Sequence, residues 1–168
     1  GTAEIEWEPY ALTVLAHVLD GGKSARLAEH VVRGQEIAAS IGAGYRMAAR
    51  LDGLFLFEGR PASGHDVAAL EQAIYTEIER LQSEPITAAE LARIKTQVVA
   101  GEIYARDSIR HQATQLGLYE TLGLGWAQAE AYPKRIRAVT AEQVQTVARK
   151  YLIPRHRTVA ELVPEAIE

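Results

Sequence analysis

Between Ala39 and Met47 the sequence abandons helical spacing and alternates strictly, and this most limits what the chain can become. Ala39, Ile41, Ala43, Tyr45 and Met47 are the apolar or aromatic positions, with Ser40, Gly42, Gly44 and Arg46 between them. A period of two predicts a half-buried strand. Asp52-Gly53 reads as a turn and Leu54-Phe-Leu-Phe57 as the start of the returning strand, its four side chains in the core. A chain with one hairpin flanked by helices must place them in separate layers. Before the hairpin, Pro9 to Asp20 has Ala11, Val14, Leu15 and Val18 at helical spacing, with Gly21-Gly22 as the stop. A second helix is expected from Ser24 to Arg33, with Leu27 and Val31 inward. After Pro61 to Gly64 the chain is helical for about ninety residues. Val67, Leu70, Ile74, Ile78 and Leu81 form one stripe, and Leu91, Ile94, Val98 and Gly101 another. Thr87-Ala-Ala-Glu90 and Thr140-Ala-Glu-Gln143 have the form of capping boxes. Helices over Ser108 to Leu122 and Trp126 to Arg137 lie between them. The last helix, with Val144, Val147 and Tyr151 inward, stops before Pro154, and Thr158 to Val163 is expected as a closing strand.

The order αα-ββ-ααααα-β describes an α+β fold, an antiparallel sheet covered on one side by several helices. Three strands make a thin sheet for so many helices, so a first strand is expected to be missing. Gly1-Thr-Ala-Glu4 lacks an initiator methionine, and the chain is expected to be a fragment of a larger protein. Ile5 and Trp7 alternate with charged neighbours, so Gly1 to Glu8 could supply a short strand. A sheet with an unpaired edge predicts a homo-oligomer, by edge pairing or exchange of that segment.

At 168 residues the chain fits one domain, residues 1–168, and its 48% hydrophobic and 24% charged content is that of a soluble globular protein. A net charge of −4 with no basic run argues against a nucleic-acid partner. The absence of cysteine removes disulfides, thiolate metal sites and a thiol nucleophile. No apolar run approaches the ~18 residues of a membrane span. No P-loop, G-x-S-x-G or G-x-G-x-x-G is present.

The sharpest chemical feature is Arg26-Leu-Ala-Glu-His30. In H-x-x-E-H, two histidines four apart on one helix hold zinc and the glutamate activates the bound water. Here the first histidine is an arginine, a permanent cation with no lone pair to donate. His30 with distant carboxylates such as Glu102 or Asp107 is a poor zinc set, so no metal and no catalytic residue is assigned to this chain. His17, His65, His111 and His156 lack pair spacing.

Several segments together resemble the pitrilysin-like zinc metallopeptidases, the insulinase and mitochondrial processing peptidase family, and within it the non-catalytic homologous domain. They are "LDGGKSARL" (Leu19 to Leu27), Arg33 at the end of that helix, "ASIGAGY" (Ala39 to Tyr45), "ARDS" (Ala105 to Ser108) and "RAVTAEQVQTVARKYLIP" (Arg137 to Pro154). The last is the most specific, and the likeness runs from Pro9 to Val163. It implies a processing-peptidase-like fold lacking its first strand, in which Arg26 belongs to a Ser-x-Arg-Leu pattern rather than to a damaged zinc site. It further implies a domain that closes a peptide-binding chamber against a zinc-bearing catalytic domain, in the same parent chain or a separate subunit, with an extended peptide as substrate. Zinc is expected in that partner and no cofactor here. Many members contribute a substrate-holding arginine and tyrosine from this domain. The arginine corresponds to Arg33, whereas the tyrosine position falls on Ala39, or on Ser40 if the spacing is one longer. Arg33 is equally readable as a cation complementing the helix dipole. An alternative for the whole chain is a structural or assembly subunit of the core-protein type; a self-sufficient metallohydrolase using His30 ranks last. The resemblance leaves the compartment open between bacterial cytoplasm and periplasm.

Overall fold

In the computed structural model, residues 6–51 and 53–163 are described. Helix α1 (Trp7–Asp20) is followed by a π-helix (Leu27–Gly34), strands β1 (Ala38–Tyr45) and β2 (Phe55–Pro61), and helices α2 (Val67–Ser83), α3 (Ala88–Ala105), α4 (Ile109–Thr121), α5 (Trp126–Ala138) and α6 (Ala141–Tyr151). A single 3-10 turn, Pro154–His156, follows α6. The α+β class and the antiparallel hairpin are as the sequence indicates.

Helix α1 is the centre of the molecule. Tyr10, Ala11, Leu12, Val14, Leu15, Val18 and Leu19 are all buried. A helix apolar on all sides can only be stable surrounded, and α1 lies against β1, the π-helix, α3, α5 and α6. Burying a side chain such as Leu15 or Leu19 stabilises by about 1.5–3 kcal/mol. The helix ends where Gly22 turns the chain at φ 109°, a conformation few residues with a Cβ accept.

β1 and β2 pair antiparallel, with Ile41 opposite Gly59, Ala43 opposite Phe57 and Tyr45 opposite Phe55. Those pairs face the core, and the Tyr45 and Phe55 rings stack 6.3 Å apart. Gly59 lets the strand approach α2, because a Cβ there would stand 3.0 Å from Leu70 Cδ2. On the far edge of β1, the Ala43 N–H donates to the Asp20 carboxylate (3.2 Å) at the end of α1.

Four expectations need correction. Ala39 points outward, because a register shift between Ala38 and Ser40 inserts one extra residue and puts Ala38 inside. Leu54 and Leu56 are exposed, since alternation turns only Phe55 and Phe57 toward the core. Thr158 to Val163 is exposed and is not a strand, for among the described residues the sheet consists of β1 and β2 alone. Trp7 and Glu8 begin α1, so that end of Gly1 to Glu8 is helical; Gly1 to Ile5, and Asp52 of the expected turn, lie outside the described residues.

The helical layer is knitted by polar groups. Gln82 on α2 donates to the Ala148 and Leu152 carbonyls, and its own carbonyl accepts from Gln145 and Arg149, which fixes α2 to α6. Glu8 accepts from Lys150 (2.7 Å) and Tyr151 (2.6 Å), tying the start of α1 to the end of α6, and these hydrogen bonds hold its carboxyl below the usual range. Within α5, Pro133 has no N–H for the Ala129 carbonyl, and the Arg106 guanidinium donates to that oxygen instead (3.3 Å). Thr140 opens α6 with a complete capping box. Thr87 opens α3 with only half of one: its hydroxyl accepts from the Glu90 N–H, while the Glu90 carboxylate is used elsewhere.

Candidate functional site

The helix holding Arg26-Leu-Ala-Glu-His30 is not an ordinary α-helix. Leu27 to Gly34 is π-wound, its Gln35 N–H donating to the His30 carbonyl five residues back. Leu27 and Val31 anchor it to the core, as their spacing predicts. Glu36 follows at φ 53°, unusual for a residue with a side chain, and turns the backbone into β1.

Arg26 and His30 each face a carboxylate from the helical layer. The Arg26 guanidinium donates twice to Glu90, through Nε (3.0 Å) and through an Nη (2.8 Å), with the two side chains 18% and 19% exposed. These hydrogen bonds hold the Glu90 carboxyl below, and the guanidinium above, their ordinary ranges. His30 Nδ1 lies 2.9 Å from Glu77, and Arg80 donates to the other Glu77 oxygen at 2.7 Å. Glu77 is buried, with 1% of its side chain exposed, so its oxygens depend on those two partners for hydrogen bonds. Glu29, the residue that would act as base in the zinc motif, is exposed.

The two positions that would carry the histidines of that motif are therefore occupied by an ion pair to Glu90 on α3 and a hydrogen bond to Glu77 on α2. Among the described residues no group of three His, Asp or Glu side chains is placed to hold a metal. Glu102 is engaged by Arg106 and Gln115, and Asp107 is exposed. His17 contacts the Thr13 carbonyl of its own helix, and His65, His111 and His156 lie on separate segments.

Arg33 stands in the last turn of the π-helix, exposed, with no hydrogen bond or ion pair among the described residues. Ala39 and Ser40 lie on the outer side of the β1 bulge, both exposed. Glu77 and Glu90 were not singled out from sequence. Glu77 could have been found, because it falls within the Leu70, Ile74, Ile78, Leu81 stripe and is a charge on an apolar face. Glu90 had already been accounted for as the last member of a capping box.

A hairpin and a π-wound helix packed around a buried helix, with Arg26 and His30 bound to Glu90 and Glu77, define a non-catalytic relative of a zinc peptidase domain. Residues 4–98, more than half of the 168, match the family described as the peptidase M16 inactive domain, and the chain belongs to that family. No curated protein matches the chain. Among solved structures, it is similar to a protease from Helicobacter pylori (TM-score 0.80, 24% identity), covering 90% of this chain and 36% of that one. It is also similar to a provisionally assigned zinc protease from Bordetella pertussis Tohama I (TM-score 0.81, 22% identity, 95% and 87% covered). A third likeness is to the inactive peptidase domain of a provisionally assigned zinc protease from Bordetella parapertussis (TM-score 0.80, 22% identity, 96% and 87% covered). At these identities the structural likeness speaks for the fold. The chain spans about a third of the Helicobacter protease.

Proposed function

We propose that this domain closes a peptide-binding chamber against a zinc-bearing partner domain, in the same parent chain or a separate subunit, and does no hydrolysis itself. The observation that carries this is the use of Arg26 and His30, the positions of the zinc pair, as partners of Glu90 and Glu77. A helix committed to binding its own domain in this way has no ligand pair to offer a metal. Membership of the inactive-domain family supports the same division of labour, as does the Helicobacter protease, in which a stretch like this chain makes up 36% of a longer polypeptide. Arg33 is the residue proposed to hold substrate, because its guanidinium is exposed and unspent at the end of the π-helix. Among the described residues no helix is long and apolar enough to cross a membrane.

The test combines the purified chain with the zinc-bearing domain of its parent protein or operon and follows cleavage of an unstructured peptide. Chelator-sensitive cleavage is expected only in the mixture, and Arg33→Ala should lower kcat and kcat/KM together while leaving the melting temperature unchanged. Chelator-sensitive cleavage by this chain alone would refute the proposal. Unchanged kinetics with a small stability loss would assign Arg33 to the helix dipole instead.

A further inference from the structure

Helix α4 is amphipathic the wrong way round for a helix that belongs to a core. His111, Gln115 and Tyr119, at i, i+4 and i+8, form its inward stripe, and Tyr119 alone is buried among the α4 residues. His111 Nε2 and Gln115 Oε1 are buried there without a hydrogen-bond partner, and Gln115 is held by its amide nitrogen, which donates to Glu102 (3.0 Å). The opposite stripe, Ile109, Ala113 and Leu116, faces outward, with Ile109 84% and Leu116 46% exposed. Together with Gln112 and with Trp126 at the start of α5, it lines an open apolar groove. Ile103 and Tyr104 at the end of α3 are exposed as well. Exposed apolar surface organised at helical spacing marks a contact site.

We infer that this stripe pairs with the same helix of a second copy of the chain, the two α4 helices running antiparallel about a two-fold axis. The charge pattern selects this occupant. Arg110, near the N-terminus of α4 and beside the stripe, makes no hydrogen bond or ion pair among the described residues. Glu120, the penultimate residue of α4 and on the stripe, uses only Oε1 among its carboxylate oxygens, to accept from the Trp126 N–H. In an antiparallel pair centred on position 115, Arg110 of each copy meets Glu120 of the other, so the contact closes on itself with two ion pairs. The same register sets Ala113 against Gly117, two small residues that let the helix axes approach. Antiparallel packing also brings each positive helix N-terminus beside the other's negative C-terminus. The contact lies on the helical layer, away from the hairpin, and so differs from edge pairing of the sheet.

The experiment is sedimentation equilibrium of the full chain over a wide concentration range. A dimer of twice the 18.4 kDa monomer is expected. Ile109→Glu should weaken it at least tenfold and Arg110→Glu several-fold. Both positions are exposed, so at concentrations where wild type and variants are all monomeric the melting temperature should not move. The chain contains no cysteine, so an Ala113→Cys, Gly117→Cys double variant should be oxidised to a covalent dimer, whereas Glu130→Cys on α5 should not. A monomer at every concentration would assign the stripe to a partner of different sequence and overturn the inference, as would a dimer indifferent to Ile109→Glu. A dimer that is sensitive to Ile109→Glu but forms no cross-link would overturn the antiparallel register.

Discussion

Removing the Arg26 guanidinium isolates what the arginine at the head of the π-helix does. In Arg26→Ala, Glu90 loses hydrogen bonds of 3.0 and 2.8 Å. A hydrogen bond to a charged group contributes about 1.5–3 kcal/mol when buried. Side-chain exposures of 18% and 19% admit enough solvent to screen the pair, which leaves about 2 kcal/mol for the two bonds together. Part of that is recoverable, because the freed carboxylate can reach back to the Thr87 N–H and complete the capping box, for about 0.5 kcal/mol. Arg26→Ala should therefore cost about 1.5–2 kcal/mol, and a double-mutant cycle with Glu90→Ala should give a coupling of about 1.5 kcal/mol. For a chain of this size the melting temperature should fall by about 3–8 °C. Urea unfolding of the four proteins gives the cycle. The Glu90 carboxyl is held below its unfolded value by Arg26, so the pair's contribution is complete above the unfolded carboxylate range and lost as pH falls through the lowered folded value. The wild-type and Arg26→Ala stability curves should accordingly converge in acid. A coupling below about 0.5 kcal/mol, or curves that stay parallel to low pH, would refute the assignment of Arg26 to structure.

Three further outcomes can be checked on the same protein. Purified chain without an affinity tag should contain far less than one zinc per molecule by elemental analysis, and stoichiometric zinc lost in His30→Ala would contradict the assignment of His30 to Glu77. Glu36→Gly should raise stability by about 0.5–1 kcal/mol in urea unfolding, because φ 53° costs glycine little, and a destabilised variant would show that the Glu36 side chain contributes. Gln82→Ala should cost about 1–2 kcal/mol, since it removes the side-chain donor shared by the Ala148 and Leu152 carbonyls at the C-terminal end of α6, while the Ala148 carbonyl keeps the Leu152 N–H. A loss below about 0.5 kcal/mol would show that water replaces the amide.

The parts of this fold that were legible in the sequence are those in which local pattern and tertiary packing agree. Thr140 to Gln143 reads as a capping box and forms one, because both of its side chains have nothing better to bond. Thr87 to Glu90 has the same lettering, yet a guanidinium 64 residues away outcompetes the local partner, and no window of sequence contains both. The helix of Leu27 to Gly34 was visible through Leu27 and Val31, but its π winding was not, since apolar residues four apart fit either winding. Ala39 was placed inside by a period that the bulge interrupts. The strand expected at Thr158 to Val163 has β-branched residues in the right proportion, and strand formation needs a neighbour that composition does not supply. At the candidate site, Arg26, Glu29, His30 and Arg33 were recognisable as a set on one helix. Their roles followed only once Glu77 and Glu90 were brought beside them from other helices.

The π-helix and the bulge at Ala39 stand at either end of one short stretch, and each accommodates one residue more than regular geometry would. Between Leu27 and Ser40 the backbone thus has two places where length can change without shifting what lies beyond. Trimming one residue at Ala39 would straighten β1 and leave Ile41, Ala43 and Tyr45 facing the core, since their phase is set by pairing with β2. Lengthening the same stretch by one would alter the spacing of Arg33 from the hairpin and the Ile37 backbone hydrogen bonds to Val31 and Ala62. The reach of that arginine should therefore respond to single-residue insertions and deletions near Ala39 while the pairing of Ile41, Ala43 and Tyr45 with β2 stays as it is.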